Sequence, residues 1–337
     1  MATYTYPTAE ALSEIEQELL PRLEADRPIF GIMPVRNKDA HNISWEIQDN
    51  FLGLQQIRGL NGQPARVKRV GAKKYEMEPG VYGEFEVIDE VELTTRRQLG
   101  TFDAHVNIDD LVRDAQEQLL QRRLDRIEQI GWDLLATGTF SVAAPNGAVL
   151  HTDTFSLQTA SAAVVWSTAA TATPLVDFRA VRLLQRGKGV SFGRDASAWM
   201  NQAVFDEMIA NTNSSDLFGR RTAGLATIGS QKDINTVLLE ENLPQININD
   251  DGYFNDSGTF TQFVPADKVV IVGKRRGATP IAEYFMTRNV NNPNMAPGAY
   301  TRVVQDPNLV PASVEVHDGH NGGPVINYPS NIVILSV

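Results

Sequence analysis

The longest helical pattern in the chain covers Ile108–Thr137. Apolar side chains recur there at intervals of three and four residues, which predicts one apolar side and charged faces elsewhere. Asn107 stands at the N-cap position, two aspartates follow it near the positive end of the helix dipole, and Gly138 provides a C-terminal stop. At about 1.5 Å per residue this helix would be about 45 Å long, so the pattern indicates a scaffold element rather than an enzyme core.

The chain before this helix divides into two parts. Residues 8–20 predict an acidic amphipathic helix, and the prolines that follow predict an extended chain over residues 21–40. We therefore interpret residues 1–50 as an arm with little core of its own. Residues 51–92 contain many glycines and short alternating runs, which predict a long hairpin with too few large apolar side chains to hold itself alone.

Charge separates sharply within this predicted hairpin. Its first half carries what we call the basic cluster, made of Arg66, Lys68, Arg69, Lys73 and Lys74. Acidic residues from Glu76 to Glu92 dominate the second half. Opposite charges on the two halves suit docking onto another copy of the chain, so we expect the basic cluster to make inter-subunit contacts. A solvated hairpin whose charges only confer solubility is the alternative.

The chain after the long helix mixes strands with shorter helices. Residues 139–172 predict a β meander, Thr173 and Pro174 open a second helix that ends before Gly187, and Asn201 caps a third. A hairpin turn is expected at Asp251-Gly252, a buried strand at KVVIVG, and renewed alternation from Ile281 onward. The whole pattern predicts an α+β fold.

Composition narrows the function classes. The chain has 337 residues, enough for two or three structural units, and no cysteine, so disulfides, thiolate nucleophiles and Cys-ligated metals are excluded. No signal-peptide pattern opens the chain, and no window approaches the length of an apolar membrane span, so we expect no membrane partner. A net charge of −11 disfavours tight binding to nucleic acid over the whole surface.

Two motifs contain residue types found in catalytic or metal sites. Gly189-Val190-Ser191-Phe192-Gly193 fits the GxSxG spelling of a hydrolase, but a helix precedes it and a strand is expected to follow, whereas the nucleophile elbow runs from strand to helix. The run His317-Asp318-Gly319-His320 contains metal-ligand types, but its glycine favours a polar turn. We therefore expect no catalytic residue, no metal site and no cofactor.

The order of the parts resembles a known family. The long helix ends in LLATGTF (residues 134–140) and the chain closes on GGPVINYPSNIVILSV (residues 322–337). This arrangement resembles the major capsid proteins of tailed phages, in particular the lambda-type E family with the Hong Kong ninety-seven capsid fold. The resemblance implies five parts, in chain order: an N-terminal arm (1–50), an extended loop (51–92), a peripheral domain (93–172) with its spine helix (107–137), an axial domain (173–275) and a return to the peripheral domain (276–337).

The resemblance also implies a function. Such a protein would self-assemble into hexamers and pentamers that form the icosahedral head around double-stranded DNA, in the virion, after assembly in the host cytoplasm. Its partners would be other copies of itself, a portal, and decoration or scaffolding proteins, with DNA contacted only by non-specific proximity. Some family members cross-link a loop lysine to an asparagine, and we predict no such cross-link here. The alternatives are an encapsulin-like protein nanocompartment and, less favoured, a serine hydrolase that uses Ser191.

Overall fold

The structure is a computed structural model of the chain. It describes residues 9–48, 54–67, 71–89, 91, 95, 107–143, 147–211, 231–255, 257–275, 279–304 and 313–337. The chain divides into two compact units. Unit 1 comprises Met1–Ile43, Glu76–Gly131 and Glu283–Val325, and unit 2 comprises Ser44–Tyr75, Trp132–Ala282 and Ile326–Val337.

Three helices whose bounds the structure describes begin in unit 1. They are α1 (Ala9–Ala25), α2 (Pro28–Ile32) and α3 (Ile108–Thr137), whose residues after 131 belong to unit 2. Helix α3 has the bounds that the sequence predicts. Gly138 follows it with φ of 75°, in the left-handed region that favours glycine, and its N–H donates to the carbonyl of Leu134 at 2.8 Å. The predicted C-terminal stop is therefore confirmed.

The strands follow in chain order. The first nine are β1 (Val35–Asn37), β2 (Ile43–Gln48), β3 (Ala72–Met77), β4 (Gly80–Ile88), β5 (Thr139–Ala143), β6 (Val149–Thr154), β7 (Gln158–Ser161), β8 (Val190–Ser191) and β9 (Ser197–Met200). The next nine are β10 (Gln245–Ile248), β11 (Gly252–Phe254), β12 (Phe260–Gln262), β13 (Lys268–Val272), β14 (Lys274–Arg275), β15 (Ala282–Met286), β16 (Tyr300–Val304), β17 (Val314–Ile326) and β18 (Ile332–Ser336). Short 3-10 turns lie at Pro293–Met295 and Pro329–Asn331.

The sheet of unit 1 is built around the long strand β17. Its order is β1-β15-β17-β16, and β4 also pairs with β17 in antiparallel register from Gly80↔Gly322 to Ile88↔Val314. One side of this sheet packs on α1 and α3. The shared core contains Leu12, Ile88, Leu111, Val112, Ala115, Leu119, Val314 and Val316. This packing buries the apolar side of α3 that the sequence predicts.

Unit 2 has its own sheet, in the order β10-β9-β13-β18-β7. Helices α4 (Pro174–Leu183), α5 (Gln202–Ala210) and α6 (Gln231–Glu240) share one large apolar core with its strands. The Asn201 cap is confirmed, since its side-chain oxygen accepts from the backbone N–H of Val204 at 2.9 Å. None of the helices in the described part of the chain is long and apolar enough to cross a lipid bilayer.

The arm differs from the sequence prediction. Helix α1 continues through Pro21 to Ala25, and α2 follows at once, so residues 21–32 are largely helical rather than extended. Leu12 is 2% exposed and Ile29 is 0% exposed, because both pack within unit 1. The expectation of an extended chain is therefore wrong for these helices, and their apolar side chains contribute to the core of unit 1. The apolar stripe that defines α1 is covered by α3 of the same chain.

Three further predictions about local pairing are wrong. Strands β3 and β4 are separated by two residues, but β3 pairs with β2 and β4 with β17, so they do not form one hairpin. The hairpin near residue 250 turns at Asn255–Thr259 instead of Asp251-Gly252, because β10 joins the main sheet and β11 pairs with β12. The run His317–His320 lies inside β17 rather than in a turn. In each case a long-range strand partner overrode a local turn signal.

Candidate assembly surfaces

A segment of unit 2 exposes large apolar side chains almost completely. We call residues 54–67 the exposed loop; it has no helix or strand. Leu54, Ile57 and Leu60 are 97%, 100% and 101% exposed. A tight turn shapes the segment, since the N–H of Gly62 donates to the carbonyl of Gly59 at 3.0 Å. Such a concentration of exposed apolar side chains marks an interaction site more often than an ordinary surface.

The base of the exposed loop is held by paired strands. Strands β2 and β3 flank the segment and pair with each other. The Trp45 ring stacks on Tyr75 with 5.6 Å between ring centroids and on Phe155 with 5.7 Å. These contacts anchor the base to the body of unit 2 through aromatic packing. The loop therefore extends from a fixed base while its apolar side chains remain in solvent.

Three residues of the basic cluster lie at the end of this loop or on the strand that follows it. Arg66 is exposed within the loop, and Lys73 and Lys74 are exposed on β3. Lys68 and Arg69 lie outside the described residues. Within the described ranges, no ion pair joins Arg66, Lys73 or Lys74 to an acidic side chain. These three positive charges therefore face solvent.

The acidic half of the predicted hairpin is partly used within its own unit. Glu84 accepts two hydrogen bonds from Arg122 of α3, at 2.5 Å to Nε and 2.9 Å to Nη2. The hydrogen bond from Arg122 lowers the pKa of Glu84 below its ordinary value. Glu76 accepts from the side-chain amide of Asn42 at 2.9 Å. The two halves of the predicted hairpin therefore differ: the described basic residues are exposed and make no ion pair with a described acidic side chain, while Glu76 and Glu84 already have partners within unit 1.

A second apolar surface lies on the sheet of unit 1. Side chains alternate between the two sides of a strand, and residues directly opposite in an antiparallel pair share a side. We call the side away from α1 and α3 the outer face. Its members are Val81, Phe85 and Val87 of β4, Glu315 and His317 of β17, and Arg302 and Val304 of β16.

The apolar part of the outer face is open to solvent. Val81 is 75% exposed, and Phe85 is 57% exposed. The Phe85 ring stacks on His317 with 5.1 Å between centroids, and Nε2 of His317 lies 2.9 Å from a carboxylate oxygen of Glu315. The result is an apolar strip beside one polar pair, which is the composition of a protein contact surface with a hydrophobic centre and a polar edge.

A buried polar cluster lies on the opposite side of the same sheet. Arg123 of α3 donates from Nη1 to Asp318 of β17 at 2.8 Å and from Nη2 to Glu16 of α1. Thr301 of β16 donates its hydroxyl to the same Asp318 oxygen at 3.0 Å. Burial raises the pKa of Asp318 to about 6, although the Arg123 charge acts in the opposite direction. The cluster of Glu16, Arg123, Thr301 and Asp318 therefore joins three elements of unit 1 to the helix α1.

His320 extends this polar interior without forming a metal site. Its Nε2 lies 3.0 Å from the Tyr284 hydroxyl, and burial lowers its pKa to about 3. Because His317 and His320 point to opposite sides of β17, they cannot converge on one ion. In the described ranges, no group of three His, Cys, Asp or Glu side chains has an arrangement that could hold a metal.

The candidate hydrolase motif has the wrong local structure. Ser191 lies in the two-residue strand β8, which pairs with β14. The backbone N–H of Gly193 donates to the Ser191 hydroxyl at 3.4 Å. Helix α4 precedes this strand and β9 follows it, which reverses the strand-to-helix order that exposes a hydrolase serine. The geometry gives no support to an esterase.

The role of the basic cluster in inter-subunit contact stays a prediction, and the apolar surfaces were not predicted from the sequence. Leu54, Ile57 and Leu60 recur at intervals of three, but glycines interrupt the run and give no helical or strand period. The alternation of Val81, Phe85 and Val87 was visible in the sequence, yet it cannot say which side of the strand is covered. The Glu16–Arg123–Asp318 contact joins residues far apart in sequence and has no local signal.

Comparison with known proteins agrees with this architecture. The family model for phage major capsid protein E matches residues 32–315. The fold is similar to that of a prophage capsid protein from E. coli CFT073, with a TM-score of 0.58 and 13% identity over 95% of this chain and 98% of that chain. It is also similar to a phage-related protein from Bordetella bronchiseptica RB50, with a TM-score of 0.58 and 9% identity over 99% of this chain and 98% of that chain.

No curated protein matches the chain in sequence. At these identities the structural likeness shows the fold alone, which is the mixed helix-and-sheet fold of phage capsid proteins that the sequence predicted. The family model shows more, because it spans most of the described chain, including α3, the strands β3 and β4, and every strand of the unit 2 sheet except β18. The resemblance noted from the sequence is thereby confirmed, and the chain belongs to the phage major capsid protein E family.

Proposed function

We propose that this chain is the subunit that builds the icosahedral head of a phage from hexamers and pentamers, around double-stranded DNA. Membership of the capsid family supports the shell. The observation that carries the mode of assembly is the exposed loop, in which Leu54, Ile57 and Leu60 make no burying contact within their own chain. Monomeric proteins rarely leave a group of large apolar side chains fully exposed to water.

The exposed loop of one copy covers the outer face of the next copy. Both surfaces are apolar at the centre, and both are open in the isolated chain. The loop contains Arg58 and Arg66 and no acidic residue, whereas the outer face offers the Glu315 carboxylate, with Arg302 on the same face. This charge pairing would fix the register of the contact, while the apolar side chains supply most of its free energy.

Such a contact is heterologous, because each copy gives a loop and receives a different surface. Repetition of one heterologous contact closes into a ring when the rotation between copies divides a full turn. Rings of five and of six copies both form if the loop can make the same contact at the two different rotations between neighbouring copies. Its turn at Gly59–Gly62 and its lack of regular structure suit that tolerance. The basic cluster lies at the end of the loop and contributes to the same inter-subunit contact.

The parts of the chain take the roles that the family likeness suggests. Helix α3 is the spine of the peripheral domain, to which residues 276–337 return. Strands β16 and β17, which pack on α3, support this assignment, whereas β18 lies in the sheet of unit 2. Residues 173–275 form the axial domain around the ring axes, supported by the single core that α4, α5 and α6 share with the sheet of unit 2.

The wider partners follow from the same role. A closed head needs a portal, and decoration or scaffolding proteins are further partners that the proposal allows. DNA inside the shell is held by confinement rather than by a dedicated site, and the net charge of −11 supports this because a negative wall does not grip phosphates.

Electron microscopy of the expressed full chain tests the proposal. We expect closed particles with five-fold and six-fold rings, and nucleic acid inside particles recovered from infected cells. A chain that stays monomeric under all assembly conditions would contradict the proposal. Particles that contain a specific enzyme and no nucleic acid would identify an encapsulin-like compartment instead. Ester hydrolysis that is lost in Ser191→Ala would identify the hydrolase.

A further inference from the structure

The buried polar cluster has an unusual charge balance. One guanidinium, that of Arg123, serves two carboxylates, Glu16 and Asp318, and its side chain is 3% exposed. The Nε of Arg123 has no hydrogen-bond partner among the described residues, so this nitrogen adds no hydrogen bond to a carboxylate of the cluster. With both acids ionised, the three groups carry one net negative charge, and Asp318 and Arg123 are buried while Glu16 is 22% exposed. Burial of such an excess charge is costly, and the cost disappears when one carboxylate takes up a proton.

The two carboxylates have different positions in the fold. Asp318 lies in β17 and is held by Arg123 and Thr301, whereas Glu16 is carried by α1. Helix α1 is also attached to the unit by Leu12 and Leu19, by the partly buried Ile15, Leu20 and Leu23, and by an exposed ion pair between Glu18 and Arg113. The side-chain amide of Gln116 donates to the carbonyl of Leu12 at 2.7 Å. Departure of α1 would therefore remove Glu16 from the cluster and admit water to Asp318.

We propose that the Glu16–Arg123–Asp318 cluster is a proton-operated latch that holds helix α1 on unit 1, tight when Asp318 carries a proton and weaker when Asp318 is ionised. Docking of α1 and ionisation of Asp318 oppose each other, because docking brings the Glu16 charge close and excludes water. By reciprocity, ionisation of Asp318 weakens docking by the same factor. The latch lies entirely in unit 1 and does not depend on shell formation.

The direction with pH follows from the docked state. Its Asp318 has a pKa of about 6, above the ordinary 3.8, mainly through burial and partly through Glu16. The docked state therefore binds the proton more tightly than the undocked state. The extra stability of docking is fully present below about pH 4 and is lost as pH rises through about 6.

Other titratable and charged groups also face the cluster. From α1 they are Glu16 and Glu24; from α3, Arg122, Arg123 and Arg126; from β4, Tyr82 and Glu84; from β15 to β17, Tyr284, Tyr300 and His320. Burial keeps His320 neutral, with a pKa of about 3, and raises the pKa of Tyr82 to about 12. Glu84 stays ionised because Arg122 lowers its pKa.

Among these groups, Glu24 also has a pKa that is raised toward the pH range in which Asp318 titrates. Burial raises its pKa, and Arg123 opposes that shift. Glu24 is on α1 and would be re-exposed with it, so its protonation acts in the same direction as that of Asp318. The contribution of Asp318 must therefore be isolated with a variant.

Hydrogen exchange of the full chain tests the latch. Protection factors of the α1 amides, corrected for the intrinsic pH dependence of exchange, are compared at pH 5.5 and pH 7.5. For a carboxyl of pKa about 6 when docked and 3.8 when undocked, we expect protection to fall about fourfold over this range. Protection of α4, in the other unit, serves as an internal control for the global fold.

The variants separate the latch from general packing. Asp318→Asn keeps the shape and the acceptor for Arg123 but cannot ionise, so its α1 protection should be high and should lose most of the fourfold change. Glu18→Gln is the matched control: Glu18 is on the same helix, 73% exposed, and 3.8 Å from Arg113. It should retain the wild-type pH response. Equal protection of wild-type α1 at both pH values, or an undiminished response in Asp318→Asn, would overturn the proposal.

Discussion

Replacement of Leu54, Ile57 and Leu60 by serine should abolish shell formation and leave the subunit as stable as before. These side chains are 97–101% exposed in the isolated chain, so their removal changes no packing within it. The free energy of unfolding should therefore stay within about 0.5 kcal/mol of the wild-type value, as for surface substitutions generally. Their whole contribution would then lie in the contact with another copy.

The size of that contribution follows from the exposed area. Complete burial of one leucine or isoleucine side chain contributes about 1.5–3 kcal/mol, so three contribute about 5–9 kcal/mol for each loop at most. Association and ordering of the loop consume part of this amount. If only about 2 kcal/mol remains, each contact still weakens about thirtyfold. A shell repeats the contact in every subunit, so its assembly should fail.

Sedimentation velocity measures the particle fraction, and calorimetry of unassembled subunits measures the melting temperature. The matched control is Val290→Ser, since Val290 is 82% exposed but lies outside both the exposed loop and the outer face. It should assemble normally. Wild-type particle yield from the triple variant would refute the proposed role of the loop. A large drop in its melting temperature would show that the loop packs against its own chain.

Three further outcomes follow from the structure. Reversal of the basic cluster to glutamate should leave the monomer folded and block particle formation, as judged by negative-stain microscopy. Gly131→Ala should destabilise the subunit by about 1–2 kcal/mol in urea unfolding, because the new methyl carbon would lie 2.7 Å from Ile29, whereas Gly31→Ala meets nothing within 4 Å and should be neutral or stabilising. Trp166→Phe should cost about 1–3 kcal/mol in the same assay, because it removes the 3.0 Å hydrogen bond to the buried carboxylate of Asp177.

Elements with local signals were predictable from the sequence. Helix α3 carries its apolar period, its acidic start and its terminal glycine within one stretch, and its bounds were predicted to the residue. The Asn201 cap depends on a side chain three residues from its partner N–H, and the buried strand β13 depends on its own apolar run. Each of these features depends on residues close together in sequence, so the sequence pattern alone is enough to predict it.

The partners of these elements were not predictable in the same way. An apolar stripe shows that α1 must be covered, but not whether α3 of the same chain or another copy covers it. The deciding contact, Glu16 with Arg123, joins positions far apart in sequence. Likewise, glycines and short alternating runs favoured one long hairpin over residues 51–92, while β4 pairs with β17 in a nine-residue antiparallel register. The candidate surfaces differ for the same reason: a charge cluster is visible in the sequence, but the exposure of an apolar side chain is not.

The two N-terminal extensions respond to pH in different ways, and this separates their roles. The exposed loop contains no Asp, Glu or His, and its largest exposed side chains are apolar, so loop-mediated assembly should not vary between pH 5.5 and 7.5 through the loop itself. Helix α1 depends on Asp318, whose pKa of about 6 falls inside that range. If assembly of the wild-type chain changes with pH and that of Asp318→Asn does not, then α1 takes part in assembly alongside the loop. If neither changes, α1 is a fixed part of unit 1 during assembly, and the loop alone carries the contact between copies.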